Sequence, residues 1–168
     1  MEFSASRCDT VCFTGHRPEK LTQTEEQVRE ALREGIRRAL DWKYTTFISG
    51  MAPGVDIWAT EEILALKEER PELRLVCAIP YDGFSQNWDE KWREKYESIL
   101  AAADEICYIC SQKTCSAPII RDKWMIDHSS LVIAFYNGEK GGTRTTVEYA
   151  EKQKIRVLNV LKQKGDRV

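Results

Sequence analysis

Short apolar or β-branched runs alternate with longer amphipathic stretches along nearly the whole chain. The apolar runs predict strands at about 10–14, 45–49, 73–79, 105–110, 131–136 and 157–161. Helical spacing predicts helices at about 24–42, 88–102, 119–127 and 143–154. A further helix runs to about residue 69, with Asp56 read as its N-cap. On the first helix Val28, Leu32, Ile36, Ala39 and Leu40 share one face, while Glu25 and Arg29 pair at i,i+4 on the other. Runs such as LVIAF and LRLVCAI do not alternate with polar residues, as suits strands covered on both faces. Strands separated by helices imply right-handed crossovers and parallel pairing. The expectation is a Rossmann-like three-layer α/β/α sandwich with a mainly parallel sheet of about six strands, and the first strand central. One domain over residues 1–161 is expected, with a short tail over 162–168.

Composition narrows the class. The chain has 168 residues, 42% hydrophobic and 31% charged, a globular balance. Its longest clean apolar run, Leu131 to Tyr136, is far shorter than the ~20 residues a spanning helix needs. With no secretion signal apparent at the start, the reading is a cytoplasmic protein with no membrane partner. Charge is nearly balanced, 25 basic against 27 acidic residues, so a nucleic-acid partner is not expected. The six cysteines read as reduced thiols. Cys107 and Cys110 lack the second pair a structural zinc site needs, so no metal site is expected, and no cofactor either.

In an open parallel sheet, ligands bind beyond the carboxyl ends of the strands. Three loops there carry unusual sequence. Gly15-His16-Arg17 follows the first strand, Ser49-Gly50-Met51-Ala52 with Gly54 and Asp56 follows the second, and Gly141-Gly142-Thr143 with Thr145 follows the fifth. Glycines at strand-to-helix turns let backbone N–H groups approach an anion, and a helix N-terminus adds positive potential. Arg17 can hold a phosphate or carboxylate, and Thr143 and Thr145 can add hydroxyls. None of these loops is a P-loop, and no G-x-G-x-x-G follows the first strand. Trp88, Trp92, Tyr96 and Ile99 form a helical stripe read as core or as a subunit interface rather than a stacking platform for bases, and it is one of two grounds for expecting a homodimer. His16 is either a ligand contact or a turn hydrogen bond. His128 is read as a helix cap.

TGHRP, SGMAPGVD, RDKWMIDHSSLVIAFYNG and GGTRTTVEYA together resemble the SLOG superfamily. That Rossmann-like group includes the DprA/Smf DNA-processing proteins, the LOG phosphoribohydrolases and the YpsA-like branch, to which the resemblance is greatest. SGMAPGVD is similar to the DprA loop SG-x-A-x-G-[IV]-D. Gly141, Gly142, Thr145 and Glu148 match the LOG pattern G-G-x-G-T-x-x-E in spacing, with Arg144 where LOG proteins have glycine. Arg121 stands where LOG proteins carry a functional arginine, with Asp122 at the position of their lysine. The resemblance implies a module binding a nucleotide or nucleotide-derived small molecule, in a sensing or regulatory role. It also implies a second reading, a nucleoside monophosphate N-glycosidase with Glu148 and Arg121 as catalytic residues. A third, single-stranded DNA binding as in DprA, is weakened by the charge balance.

Overall fold

The computed structural model describes residues 3–161, so the expected tail at 162–168 lies outside the described residues. The elements alternate as β1 (Thr10–Gly15), α1 (Glu25–Asp41), β2 (Thr46–Ser49), α2 (Val55–Lys67), β3 (Arg74–Ile79), α3 (Glu90–Ala102), β4 (Glu105–Tyr108), α4 (Ala117–Asp127), β5 (Leu131–Phe135), α5 (Gly142–Lys152) and β6 (Arg156–Asn159). The six strands form one sheet in the order β4-β3-β2-β1-β5-β6, and every neighbouring pair is parallel. β1 is interior, with Val11 paired to Phe47 of β2 on one side and Leu131 of β5 on the other.

Alternation along each strand divides the core in two, as side chains two residues apart share a face. Val11, Phe13, Phe47, Leu75, Leu131 and Ile133 pack with α1, α2 and α3 on one face. Cys12, Ile48, Val76, Ala78, Val132 and Ala134 pack with α4 and α5 on the other. This is the three-layer sandwich expected from the continuous apolar runs. Burying each large aliphatic chain contributes about 1.5–3 kcal/mol.

Local signals set the helix ends. Thr24 caps α1 through a reciprocal capping box with Gln27, and Trp42 closes it. Arg29 bonds Glu25 as the spacing suggests, and it also reaches Glu61 and Glu62 on α2. The helix after β2 departs from expectation. Gly54, not Asp56, is its N-cap, because Gly54 takes φ 97° and ψ −128°, a backbone region open to glycine. Asp56 therefore lies inside the first turn of α2. The aromatic stripe belongs to this chain's own core, with Tyr96 and Ile99 buried and Trp88 and Trp92 packed against them. Trp88 precedes α3 and makes edge contacts with Phe84 at 4.9 Å and Tyr96 at 5.2 Å. β4 ends at Tyr108, so Cys110 lies beyond the strand, and both Cys107 and Cys110 are free thiols. His128 caps α4 as expected, its N–H reaching the Trp124 carbonyl and its ring stacking on the Trp124 indole at 4.1 Å. No helix among the described residues is long and apolar enough to cross a membrane.

Candidate functional site

The chain order turns back between β1 and β5. β2, β3 and β4 extend to one side of β1, and β5 and β6 to the other. Such a switch point leaves a crevice between the loops leaving the two central strands. A cleft of about 170 Å3 lies there, lined by Phe13, Thr14, Gly15, His16, Arg17, Lys20, Ala52, Asp56, Pro118, Arg121, Asp122, Gly142 and Thr143. Residues from all three glycine loops meet in this one place.

Close backbone packing explains two of the glycines. A Cβ on Gly15 would fall 2.4–2.7 Å from Val55 side-chain atoms, so the end of β1 can lie against the start of α2 only without a side chain. A Cβ on Gly50 would fall 2.9 Å from the Arg121 guanidinium. The remaining residues of the second loop shape it from within. Ser49 Oγ accepts from the Met51 N–H at 3.1 Å and donates to the Asp56 carbonyl. Met51 is fully buried at φ 61°.

His16 is buried, and its Nε2 accepts from the Asn137 N–H at 3.3 Å. This bond is long-range and not within the local turn; it ties the β1 loop to the β5 loop while His16 also lines the cleft. Desolvation holds its pKa below the usual value. A neutral ring with Nε2 as acceptor fits that bond.

Arg121 is only 4% exposed. It donates through Nη1 to the carbonyls of Gly50 and Ala78, and through Nε to Asp122 at 2.6 Å. Its guanidinium lies 5.6 Å from the Phe84 ring centre. It lines the cleft, but these donors are spent on bracing the loop after β2 and the end of strand β3 to α4. Asp122 accepts a further bond from Thr146 of α5 at 3.1 Å.

The free cations are elsewhere. Arg17 and Lys20 are exposed and line the cleft, and neither forms a salt bridge among the described residues. A Cβ on Gly141 would meet Lys20 Nζ at 3.0 Å, so this ammonium sits at the start of α5. No side chain among the described residues caps α5. A cation beside the positive end of a helix dipole is unfavourable unless an anion lies between them.

Glu148 does not reach the cleft. Its side chain is 59% exposed and pairs with Arg144 at 2.7 Å on the outer face of α5. Thr145 is also exposed, its Oγ1 donating back to the Gly141 carbonyl. Thr143 lines the cleft as expected. Lys20, Asp122 and Pro118 line it too, and the sequence reading assigned them no binding role. Lys20 follows the Pro18 turn that brings it back over α5, a contact invisible to local spacing.

Asp56 is one of the two acids of the cleft, with Asp122. One carboxylate oxygen of Asp56 accepts from the Ala52 N–H at 3.3 Å, and the other, Oδ1, is buried without a hydrogen-bond partner among the described residues. Desolvation pushes its pKa up from 3.8 to about 7, with Asp122 adding to the rise and Arg121 and Arg17 opposing it. The folded protein therefore holds this proton more tightly than the unfolded chain. Stability from this source is complete below the usual carboxylate pKa and is lost as pH rises towards 7. Between about pH 5 and about pH 8 the loss is roughly 2–3 kcal/mol. Asp56→Asn should flatten the profile by that amount, as read from urea unfolding at both pH values. Parallel profiles for the two proteins would contradict the burial of this carboxyl.

A larger groove of about 980 Å3 runs beside β4, lined by Ile106, Tyr108, Trp124 and His128 among others. Its acids are already engaged, Asp104 by Lys67 and the Leu75 N–H, and Glu105 by Arg74. Among the described residues, no group of three or more His, Cys, Asp or Glu could hold a metal ion. The cleft at the switch point is the better candidate because it joins unpaired cations, a helix N-terminus and an unpartnered buried acid.

A family model described as the YspA SLOG family matches residues 11–161. The chain belongs to this family. Its similarity extends to a UPF0398 protein of Bacillus cereus strain G9842, 33% identical over 135 residues that cover 74% of this chain and 73% of the relative. A UPF0398 protein of Bacillus thuringiensis strain Al Hakam is 29% identical over 158 residues, covering 89% of this chain and 85% of the relative. Among solved structures, the DNA processing protein DprA of Streptococcus pneumoniae superposes with a TM-score of 0.63 at 15% identity over 95% of this chain. This chain spans about half of that protein, 52% of its length. DprA of Helicobacter pylori, described for its single-stranded DNA binding mode, gives a TM-score of 0.63 at 17% identity, covering 96% of this chain and 68% of that one. At such identities the likeness establishes the fold, and the SLOG match covers every residue of the cleft.

Proposed function

We propose that this SLOG chain binds a phosphate-bearing nucleotide or nucleotide-derived small molecule in the cleft at the β1–β5 switch point, in a sensing or regulatory role. The observation that carries the reading is the pairing of an uncapped α5 N-terminus with the unpaired ammonium of Lys20, and Arg17 on the same cleft. Backbone N–H groups of Gly142 and Thr143 would meet the phosphate, and the two cations would complete its neutralisation. Ser49, Met51, His16 and Arg121 hold the loops in place around it.

The glycosidase reading is less well supported, because it placed a carboxylate at Glu148 and the carboxylates of the cleft are Asp56 and Asp122. Single-stranded DNA binding draws on the DprA likeness alone, against a net charge of −2.

The test is calorimetric titration of the protein with nucleoside monophosphates and with the matching nucleosides. The monophosphate should bind at least ~10-fold tighter, the scale of one or two charge-assisted hydrogen bonds. Equal affinities would remove the phosphate from the account.

A further inference from the structure

The aromatic stripe on α3 is core, and the apolar surface of this chain lies elsewhere. Among the described residues four large hydrophobic side chains are exposed, Ile106 and Tyr108 on β4 and Ile119 and Ile120 on α4. β4 is an outer strand of the sheet, three places from β1 and away from the cleft. Ile106 is 38% and Tyr108 53% exposed. The opposite outer strand, β6, differs: its exposed positions are Arg156 and Asn159. Charge on an outer strand keeps other chains from pairing with it, and on β4 the one charged residue, Glu105, is held by Arg74. The groove of about 980 Å3 runs along this strand, with Phe3 and Trp124 adding to its apolar wall.

β4 also has backbone groups to offer. The Asp104 N–H reaches the Leu75 carbonyl on the β3 side. Successive residues point their backbone groups to opposite sides of a strand, so the N–H and C=O of Glu105 and Cys107 face away from β3. Charge indicates the occupant. Of the groove's acids, Asp104 is paired with Lys67 and Glu105 with Arg74, so neither is left to draw a basic partner. A two-fold axis sets each side chain near its own copy, where unmatched like charges would repel, and an internally neutral edge suits that arrangement. Size agrees. From Ala103 to Ile109 the edge is about 23 Å long, and three layers of ~10 Å give a wall of roughly 700 Å2. A standard interface takes ~800 Å2 from each partner.

We propose that this edge pairs with a second copy of the chain, β4 lying antiparallel to β4 across a two-fold axis at Ile106, so that the two sheets become one. Glu105 then exchanges backbone hydrogen bonds with the partner's Cys107, and the two Ile106 side chains meet at the axis. An axis at Glu105 would set two carboxylates face to face. An axis at Cys107 would need the Ile109 N–H, which the Ile79 carbonyl already holds. The surface is separate from the cleft and needs no ligand there.

Sedimentation of the full chain over ~1 to ~100 μM tests the pairing. Wild type should reach twice the 19.4 kDa chain mass within that range. Ile106→Lys should raise the dimer dissociation constant by ~100-fold or more, because two ammonium groups would meet at the axis. Ile106→Cys, oxidised, should give a covalent dimer joined at position 106 by peptide mapping, as facing residues without mutual hydrogen bonds lie ~4.5 Å apart between Cα atoms. Thermal unfolding shows that each variant has folded, and Tyr108→Lys replaces Ile106→Lys should that variant not fold. Wild type that stays monomeric throughout overturns the proposal and leaves the edge to a partner of another kind. A folded lysine variant that dimerises as wild type does, or an Ile106→Cys dimer with no link at position 106, overturns it as well.

Discussion

Gly54→Ala should destabilise the protein by about 3 kcal/mol or more. Two costs add. The backbone at φ 97° and ψ −128° lies in a region that L side chains rarely adopt, worth about 1–3 kcal/mol. A Cβ there would also stand 2.8 Å from Pro18 Cδ and 2.9 Å from the His16 carbonyl oxygen. That neighbour is backbone, held by β1 on one side and by the His16–Asn137 bond on the other, so it cannot yield as a surface side chain would. Overpacking of this kind costs about 1–3 kcal/mol. Relief would require the β1 loop to move, carrying Arg17 and Lys20 with it, so surviving protein should also bind nucleoside monophosphate more weakly. Urea unfolding measures the first effect and titration the second. Stability within ~0.5 kcal/mol of wild type would show that the two loops are not locked together here.

Arg121→Ala should cost about 3–5 kcal/mol, the range for removing one partner of a buried ion pair. The carbonyls of Gly50 and Ala78 and the carboxylate of Asp122 would all lose a donor. Arg121→Lys should recover only part of the loss, because one ammonium cannot reproduce a planar fork reaching three acceptors. The family resemblance implies a role in the chemistry for this arginine, and its geometry adds that of a brace. The two roles separate cleanly in the ligand-free protein. A residue kept for phosphate alone would leave unfolding unchanged when removed, and a brace would not.

The architecture was readable because its causes are local and repeated. Continuous apolar runs at Leu131–Phe135 and Leu75–Ile79 mark doubly covered strands, and the spacing of Val28, Leu32 and Ile36 marks α1. The site was readable only in outline. Gly15, Gly50 and Gly142 fall after strands of a parallel sheet, and that places them at one edge whatever surrounds them. The parts that were not readable depend on contacts between distant segments. Asp56 looks like an N-cap until Gly54 adopts a conformation that starts α2 earlier. Glu148 has LOG-like spacing, yet it emerges on the outer face of α5 with Arg144 beside it. Lys20 carries no motif, and reaches the start of α5 through the turn that Pro18 begins. Spacing along one element sets the face a residue occupies, while the neighbour facing it is set by packing.

The central claim is that a phosphate-bearing ligand is held between the start of α5 and the two unpaired cations. Its most direct measurement is the affinity for a nucleoside monophosphate of the double variant Arg17→Glu with Lys20→Glu against wild type, at matched low ionic strength. Both side chains are exposed and unpaired, so unfolding should change little. The account predicts a loss of affinity of ~10-fold or more, shrinking as salt is added. An unchanged affinity in the folded double variant would contradict it.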